Sequence, residues 1–340
     1  MSFNDRILKA IRREPVDATP IWFMRQAGRV LPRYRESRAM RDMISILNDP
    51  EAAAEITAMP LDYFPVDAAV LYNDLVTPFI AAGLQLEMRP GIGPVVLDPV
   101  MEAHDVERMK PFDPRVELKY SMDQIKLLVK RINVPVLGFV GAPFTLCSYL
   151  IRGSRSKHQE EIKEFMLREP DAWHTLATFW ADHLAEFGIA QHEAGAGAVQ
   201  VFDSWAGSLS PEDYEAQVLP YSHRMIARMR SQGVPVVHFA TGNPALLPLI
   251  SQAGGDCISV DWRLPIDSAW DIIGEDKAIQ GNIDPTALLA GKDVALRKAK
   301  DIMERIAGRP GHIFNSGHGL LPGTDPDVIK AVVDFVHEYR

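Results

Sequence analysis

Five arginines, Arg25, Arg29, Arg33, Arg35 and Arg38, crowd into a stretch whose one acid is Glu36. Arginine keeps its charge at any accessible pH and grips carboxylates through a planar two-pronged fork, so this cluster is built to meet an anion. The chain as a whole carries a formal net charge of −9, and the basic stretch stands out against it. A solvated helix face has the same charge count. What distinguishes the two is the chemistry further along. Asp74, Tyr149, Ser204 and His318 each lie just beyond a short apolar run, and together they offer a carboxylate, a phenol, a hydroxyl and an imidazole.

Those apolar runs are the elements that must position the chemistry. They read as strands at 21–24, 68–72, 136–140, 198–202, 234–239, 257–260, 278–281 and 312–315. Brief continuous apolar runs without alternation are the pattern of parallel strands buried on both faces. Helical segments lie between them. Asp325-Pro326 predicts an N-cap and first turn, with Ile329, Val332, Val333 and Val336 as the apolar face. Asp284-Pro285 repeats the device, and Ser210 with Asp213 has capping spacing ahead of a helix over 214–229. The stretch 157–193 predicts two helices divided at Pro170. Residues 84–97, centred on Gly91 and Pro94, read as a hairpin inserted after the second strand. Eight strand–helix units point to a (β/α)8 barrel of the TIM type filling residues 1–340 as a single domain. A doubly wound sheet would show a glycine-rich dinucleotide turn after its first strand, and Gln26-Ala27-Gly28-Arg29 is not one. In a barrel the active site lies at the C-terminal strand ends, where Arg25, Arg29, Asp74, Tyr149, Ser204 and His318 fall.

Composition narrows the function classes. Hydrophobic residues make up 47% and charged residues 24%, as in a globular protein with a large core. The acidic balance argues against nucleic acid as partner. No apolar stretch reaches the length of a membrane span, and the first residues read neither as a signal nor as a transit peptide. With only two cysteines, Cys147 and Cys257, a disulfide framework is excluded and a reducing cytoplasm is expected.

Taken in order, these pieces resemble the uroporphyrinogen decarboxylase family. Arg25-Gln26-Ala27-Gly28-Arg29 with Leu31-Pro32 is similar to the family's N-terminal signature, and 138–146 with Tyr149 to its second. The turn 202–207, the segment 281–285 and Gly317-His318-Gly319 resemble further blocks, so the likeness spans essentially the whole chain. The family usually carries an aromatic residue where this chain has Val30, and acids where it has Arg33 and Arg152.

The resemblance implies a macrocyclic substrate with four acetate and four propionate arms, whose acetates lose carbon dioxide and become methyls. It implies substrate contacts at Arg25, Gln26, Ala27, Gly28, Arg29, Asp74, Tyr149, Ser204 and His318, and a homodimer. The residue types fit. Arginines answer carboxylates, and Asp74, an anion in an anion-binding cleft, makes sense if pyrrole N–H donors converge on it. No lysine closes a strand at the active face, Lys277 preceding its strand, so a Schiff-base or pyridoxal route lacks its residue. Catalysis without a cofactor is therefore expected, the substrate acting as its own electron sink, with Asp74 and Arg25 as the catalytic pair.

Two other readings compete. Zinc-dependent corrinoid methyltransferases share the barrel and use a His-x-Cys pair; here the comparable place reads His238-Phe239-Ala240, without the thiolate, so no metal site is expected. A tetrapyrrole carrier would want the arginines but has no use for Asp74 among them.

Overall fold

The computed structural model describes residues 3–89, 93–151, 153 and 159–339. Gly91, Arg152 and Lys157 lie outside the described residues. Nine strands are seen among the described residues: β1 (Ala69–Val70), β2 (Leu86–Arg89), β3 (Gly93–Val96), β4 (Val136–Gly141), β5 (Ala198–Asp203), β6 (Val236–Ala240), β7 (Cys257–Ser259), β8 (Ala278–Ile283) and β9 (His312–Ser316). β2 and β3 pair antiparallel. The other seven form one parallel sheet in the order β1-β4-β5-β6-β7-β8-β9. Each strand lies beside its predecessor with helices between, the sequential curl of a TIM-like barrel.

Register decides which side chains face the bore. Phe139 pairs with Gln200, Gln200 with Val237, Ser259 with Gln280 and Gln280 with Ile313, so these share one face. Inside, Trp22 Nε1 donates to Gln280 Oε1 at 2.9 Å, and Gln280 Nε2 donates to Gln200 Oε1 at 3.0 Å and to Ser259 Oγ at 2.9 Å. Two residues further along the strands, Phe202 sits beside Phe239 and Asn282 beside Asn315, forming the layer under the C-terminal mouth.

The run 21–24, expected as a strand, contributes a single bridge, Ile21 to Phe314. Its backbone bonds β9 on one side, with Phe314 N–H to Pro20 O at 2.8 Å and Trp22 N–H to Phe314 O at 3.3 Å. On the other side Asp67 N–H reaches Ile21 O at 2.8 Å, while the remaining donors go to side chains. Ile21 N–H donates to Asp67 Oδ2 (2.8 Å), Phe23 N–H to Gln26 Oε1 (3.0 Å) and Met24 N–H to Asn315 Oδ1 (3.2 Å). Side-chain acceptors replace the ladder here, so the segment is held without being a regular strand.

Caps account for the helix starts. Asp325 accepts from Asp327 N–H ahead of Pro326–Glu338, and Ser210 from Asp213 N–H ahead of Pro211–Gln217. The helix expected over 214–229 is in fact two, because Pro220 has no N–H to donate and the second begins at Leu219. The longest helix, Pro170–Glu193, docks on β4 through Gln191, whose amide bonds both Phe139 N–H (2.9 Å) and Phe139 O (3.0 Å). No helix among the described residues is long and apolar enough to cross a membrane.

Asp67 ties these parts together. Fully buried, its Oδ1 accepts from Asn4 Nδ2 (2.8 Å) and Arg6 Nη1 (3.1 Å), and its Oδ2 from Ile21 N–H, with His337 Nε2 at 2.7 Å. Burial alone would raise this carboxyl. The hydrogen bond and charge of His337, with the Asn4 amide and the Ile21 N–H, hold it below the usual carboxylate range instead. A depressed folded-state pKa contributes stability that is complete above the unfolded value and is lost as pH falls through the folded one. Asp67→Ala should therefore cost about 3–5 kcal/mol at pH 7, since it strands buried partners. Urea unfolding should show that cost shrinking below pH 4; a cost independent of pH would contradict it.

Candidate active site

The arginine-rich loop begins where segment 20–24 leaves the bore. Arg25 takes a left-handed backbone, φ 63°. A Cβ on Gly28 would lie 2.6 Å from Arg25 O, so the turn closes only over glycine. Gln26 is fully buried, and its Nε2 donates to Ala68 O at 2.8 Å while its Oε1 takes the Phe23 N–H. Its own N–H goes to Phe23 O. Expected to touch substrate, Gln26 has its polar groups committed to holding the loop against the chain entering β1. The N–H groups of Ala27, Gly28 and Arg29 have no acceptor among the described residues, and neither Arg25 nor Arg29 has an ion-pair partner there. Arg33 instead pairs with Asp62 at 2.7 Å on the surface, and Arg35 donates to Arg29 O at 2.8 Å.

Asp74 stands on the turn beyond β1. Asn73 Oδ1 accepts from Asp74 N–H (2.8 Å), Asn73 Nδ2 donates to Ser121 Oγ (3.1 Å), and Thr77 Oγ1 donates to Asp74 O (3.0 Å). Asp74 Oδ1 accepts from Val76 N–H at 3.1 Å, while no described residue hydrogen-bonds Oδ2. Burial pushes this carboxyl above its ordinary range, against the pull of the Val76 N–H and the Arg25 charge. Two residues earlier, the Tyr72 ring meets Tyr34 edge-on at 6.1 Å, and burial holds its phenol firmly protonated.

Across the mouth, Tyr149 lies half-buried on the helix Pro143–Leu150, and its ring meets Trp205 edge-on at 6.1 Å. One turn earlier on that helix, Thr145 Oγ1 donates to Asp203 Oδ1 at 2.9 Å and accepts from Trp205 N–H at 3.4 Å. Thr145 thereby fixes the Tyr149 helix to the turn that carries Ser204, a role that residue spacing does not reveal. His318 Nδ1 accepts from Gly319 N–H at 2.8 Å, so in the neutral ring the proton sits on Nε2. Its ring abuts Phe239 at 6.3 Å, the end of a row running through Phe202 (5.7 Å) to Phe139 (5.6 Å). That apolar floor beneath a charged rim was hidden in the sequence as ordinary core aromatics.

The loops after segment 20–24, β1, β5 and β9 thus bring Arg25, Arg29, Asp74, Ser204 and His318 to one end of the barrel, with Tyr149 on the helix after β4. His238 is elsewhere: paired in register with Val201, it faces away from the bore, and its Nδ1 meets Gly254 O at 3.2 Å. Lys277 precedes β8, at the opposite end, and contacts Ser251.

Asp203 is fully buried, and burial pushes its carboxyl up to about 7 against the Thr145 hydrogen bond. A raised folded-state pKa makes stability fall as pH rises from the unfolded value toward 7, then level off. Asp203→Asn keeps the acceptor for Thr145 and removes the charge. Its stability relative to wild type should climb from pH 4 to 7 and stay flat to pH 8 in urea unfolding; a constant difference would contradict the shift.

The family profile described as uroporphyrinogen decarboxylase (URO-D) matches residues 2–339. The uroporphyrinogen decarboxylase of Chloroflexus aggregans is 44% identical over 341 residues, spanning 99% of this chain and 96% of that protein. The one from Sorangium cellulosum is 44% identical over 336 residues, spanning 98% and 96%. Among solved structures, a methyltransferase from Methanosarcina mazei covers 100% of this chain and 99% of its own with a TM-score of 0.80 at 21% identity, a likeness of fold. With its whole length matched and its arginine loop, Asp74 turn and His318 loop at one barrel mouth, the chain belongs to the uroporphyrinogen decarboxylase family.

Proposed function

We propose that this protein decarboxylates the four acetate arms of uroporphyrinogen III to methyls, releasing four molecules of carbon dioxide and giving coproporphyrinogen III for heme biosynthesis, without a cofactor. The observation that carries the reading is Asp74: a carboxylate with one oxygen that no described residue hydrogen-bonds, under the field of Arg25, in a mouth where Arg25 and Arg29 have no ion-pair partner among the described residues. The architecture proposed with it is a single-domain (β/α)8 barrel, in which segment 20–24 serves as the eighth stave and the β2–β3 hairpin is an insertion. We place it as a homodimer in the cytoplasm, where Cys147 and Cys257 stay as buried thiols.

Arg25, Arg29 and the N–H groups of Ala27 and Gly28 bind substrate carboxylates, each charge-assisted bond contributing about 1.5–3 kcal/mol. Tyr149, Ser204 and His318 complete the polar rim, while Phe139, Phe202 and Phe239 present an apolar floor to the macrocycle. Pyrrole N–H groups converge on Asp74. Protonating a ring carbon next to an acetate arm makes the pyrrole cationic. The bond to the carboxylate then breaks, its electrons neutralise the ring, and carbon dioxide leaves an exocyclic methylene. Protonation of that methylene and loss of the ring proton restore the pyrrole with a methyl, one proton being consumed for each carbon dioxide. Arg25, directly or through a polarised water, delivers the proton. Ionised Asp74 attracts the cationic ring more strongly than the neutral one, and that difference is what lowers the barrier.

Asp74→Asn keeps shape and an acceptor but removes the charge. Single-turnover carbon dioxide release should fall by several powers of ten, at about 1.4 kcal/mol each, with a much smaller change in product affinity. Near-normal turnover would reduce Asp74 to a binding residue.

Because Asp74 must be ionised and its pKa is raised, kcat/KM should decline as pH drops through that value. Removing the neighbouring cation in Arg25→Ala should move this limb to higher pH in the residual activity. An unmoved limb would disconnect the two residues.

A further inference from the structure

Gly319 lies against the arginine loop more closely than any side chain could. A Cβ built on it would sit 2.3 Å from Arg25 Cδ and 2.8 Å from both Cγ and Nε, so the stem of Arg25 crosses the face of this glycine. The backbone around Gly319 is held from both sides. Its own N–H bonds His318 Nδ1 at 2.8 Å, and the next residue, Leu320, donates to Met24 O at 2.9 Å, one residue before Arg25. The arginine is held too: a left-handed φ of 63° persists in a non-glycine residue only where the surroundings enforce it, and Gly28 closes over its carbonyl. Gly319 itself has no positive φ, so glycine is not required there by backbone strain. What it supplies is space.

We propose that Gly319 is a positioning residue: the missing side chain is the seat of the Arg25 stem and fixes where the Arg25 guanidinium enters the cleft beside Asp74. The inference rests on the role given to Arg25 above. The loop bearing His318 and the loop bearing Arg25 then act as one unit, so that a methyl group added on one relocates the charged group of the other. An alanine leaves the backbone of the fold alone, because the atoms it meets all belong to the Arg25 side chain and no backbone atom lies among its nearest contacts. It is costly for placement, since the arginine stem has to leave its groove while both backbones stay tied.

The experiment is a double-mutant cycle on Gly319→Ala and Arg25→Ala, reading kcat/KM for uroporphyrinogen decarboxylation and the thermal transition, with a crystal structure of Gly319→Ala. Gly319→Ala should keep a wild-type melting transition and lose about a hundredfold in kcat/KM, the scale of an ångström-sized misplacement. In the Arg25→Ala background the same change should cost no more than about twofold, because nothing remains to displace. The crystal structure should show the Arg25 stem off its groove with the 318–320 backbone unmoved. Equal losses in both backgrounds, or full activity in Gly319→Ala, would overturn the proposal, as would an Arg25 stem still in place in the variant. The reading it rests on fails differently: if Arg25→Ala alone retains full activity, Arg25 has no part in the reaction, and if wild type releases no carbon dioxide the assigned reaction is wrong. In both cases the variant's structure still decides whether Gly319 seats the arginine.

Discussion

The carboxylate of Asp67 is the joint on which this barrel depends. A sheet that curls without a full eighth strand leaves donors and acceptors open along one seam, and buried open donors are expensive. One buried side chain closes much of that seam. It receives the N-terminal residues Asn4 and Arg6, the backbone of Ile21 and the imidazole of the last helix, so the two ends of the chain meet on a single anion. Everything at the mouth follows, because segment 20–24 carries Arg25 out of the bore and can aim it only if its own position is fixed. Gln26 and Asn315 continue the same device upward, each lending a side-chain oxygen to a backbone N–H of that segment.

Two carboxylates near the mouth show how environment divides one chemistry into two uses. Asp203 is sealed behind Thr145 and faces away from the bore, its charge disfavoured by burial with no cation against it. Asp74 is also raised by burial, yet it feels the charge of Arg25, which Asp203 does not. The first suits a group that holds two elements together; the second suits a group that waits for something cationic.

Much of this was legible in the residues. Continuous apolar runs located the seven parallel strands to within a residue or two at most ends, since strands buried on both faces leave that signature. Pro-containing caps placed Pro326–Glu338 and Pro285–Leu289 for the same local reason. The run 21–24 misled, because Ile, Trp, Phe and Met in succession look like a strand whether their N–H groups meet a neighbouring backbone or the side chains of Asp67, Gln26 and Asn315. Those partners come from distant parts of the chain, and no local pattern announces them. Gln26 poses the same difficulty: inside a loop of anion-binding residues, an amide that holds the loop and one that meets a ligand have identical spelling, and only the fold shows this side chain bonded to Phe23 and Ala68. Thr145 and Gly319 matter through what they touch across the barrel, which only the fold brings together.

The amide network in the bore sets a rule for traffic. Trp22, Gln280, Gln200 and Ser259 fill the middle of the barrel with side chains bonded to one another, so the mouth is a cul-de-sac and the far end offers no exit. Whatever enters between the arginine loop and the His318 loop leaves by the same opening, and so does any gas set free below it. A large macrocyclic ligand seated there would be a stopper over its own products. Its clearance must then come from tilting or lifting at the rim, and crowding of the entrance by solvent, salt or a neighbouring molecule would slow departure as much as arrival.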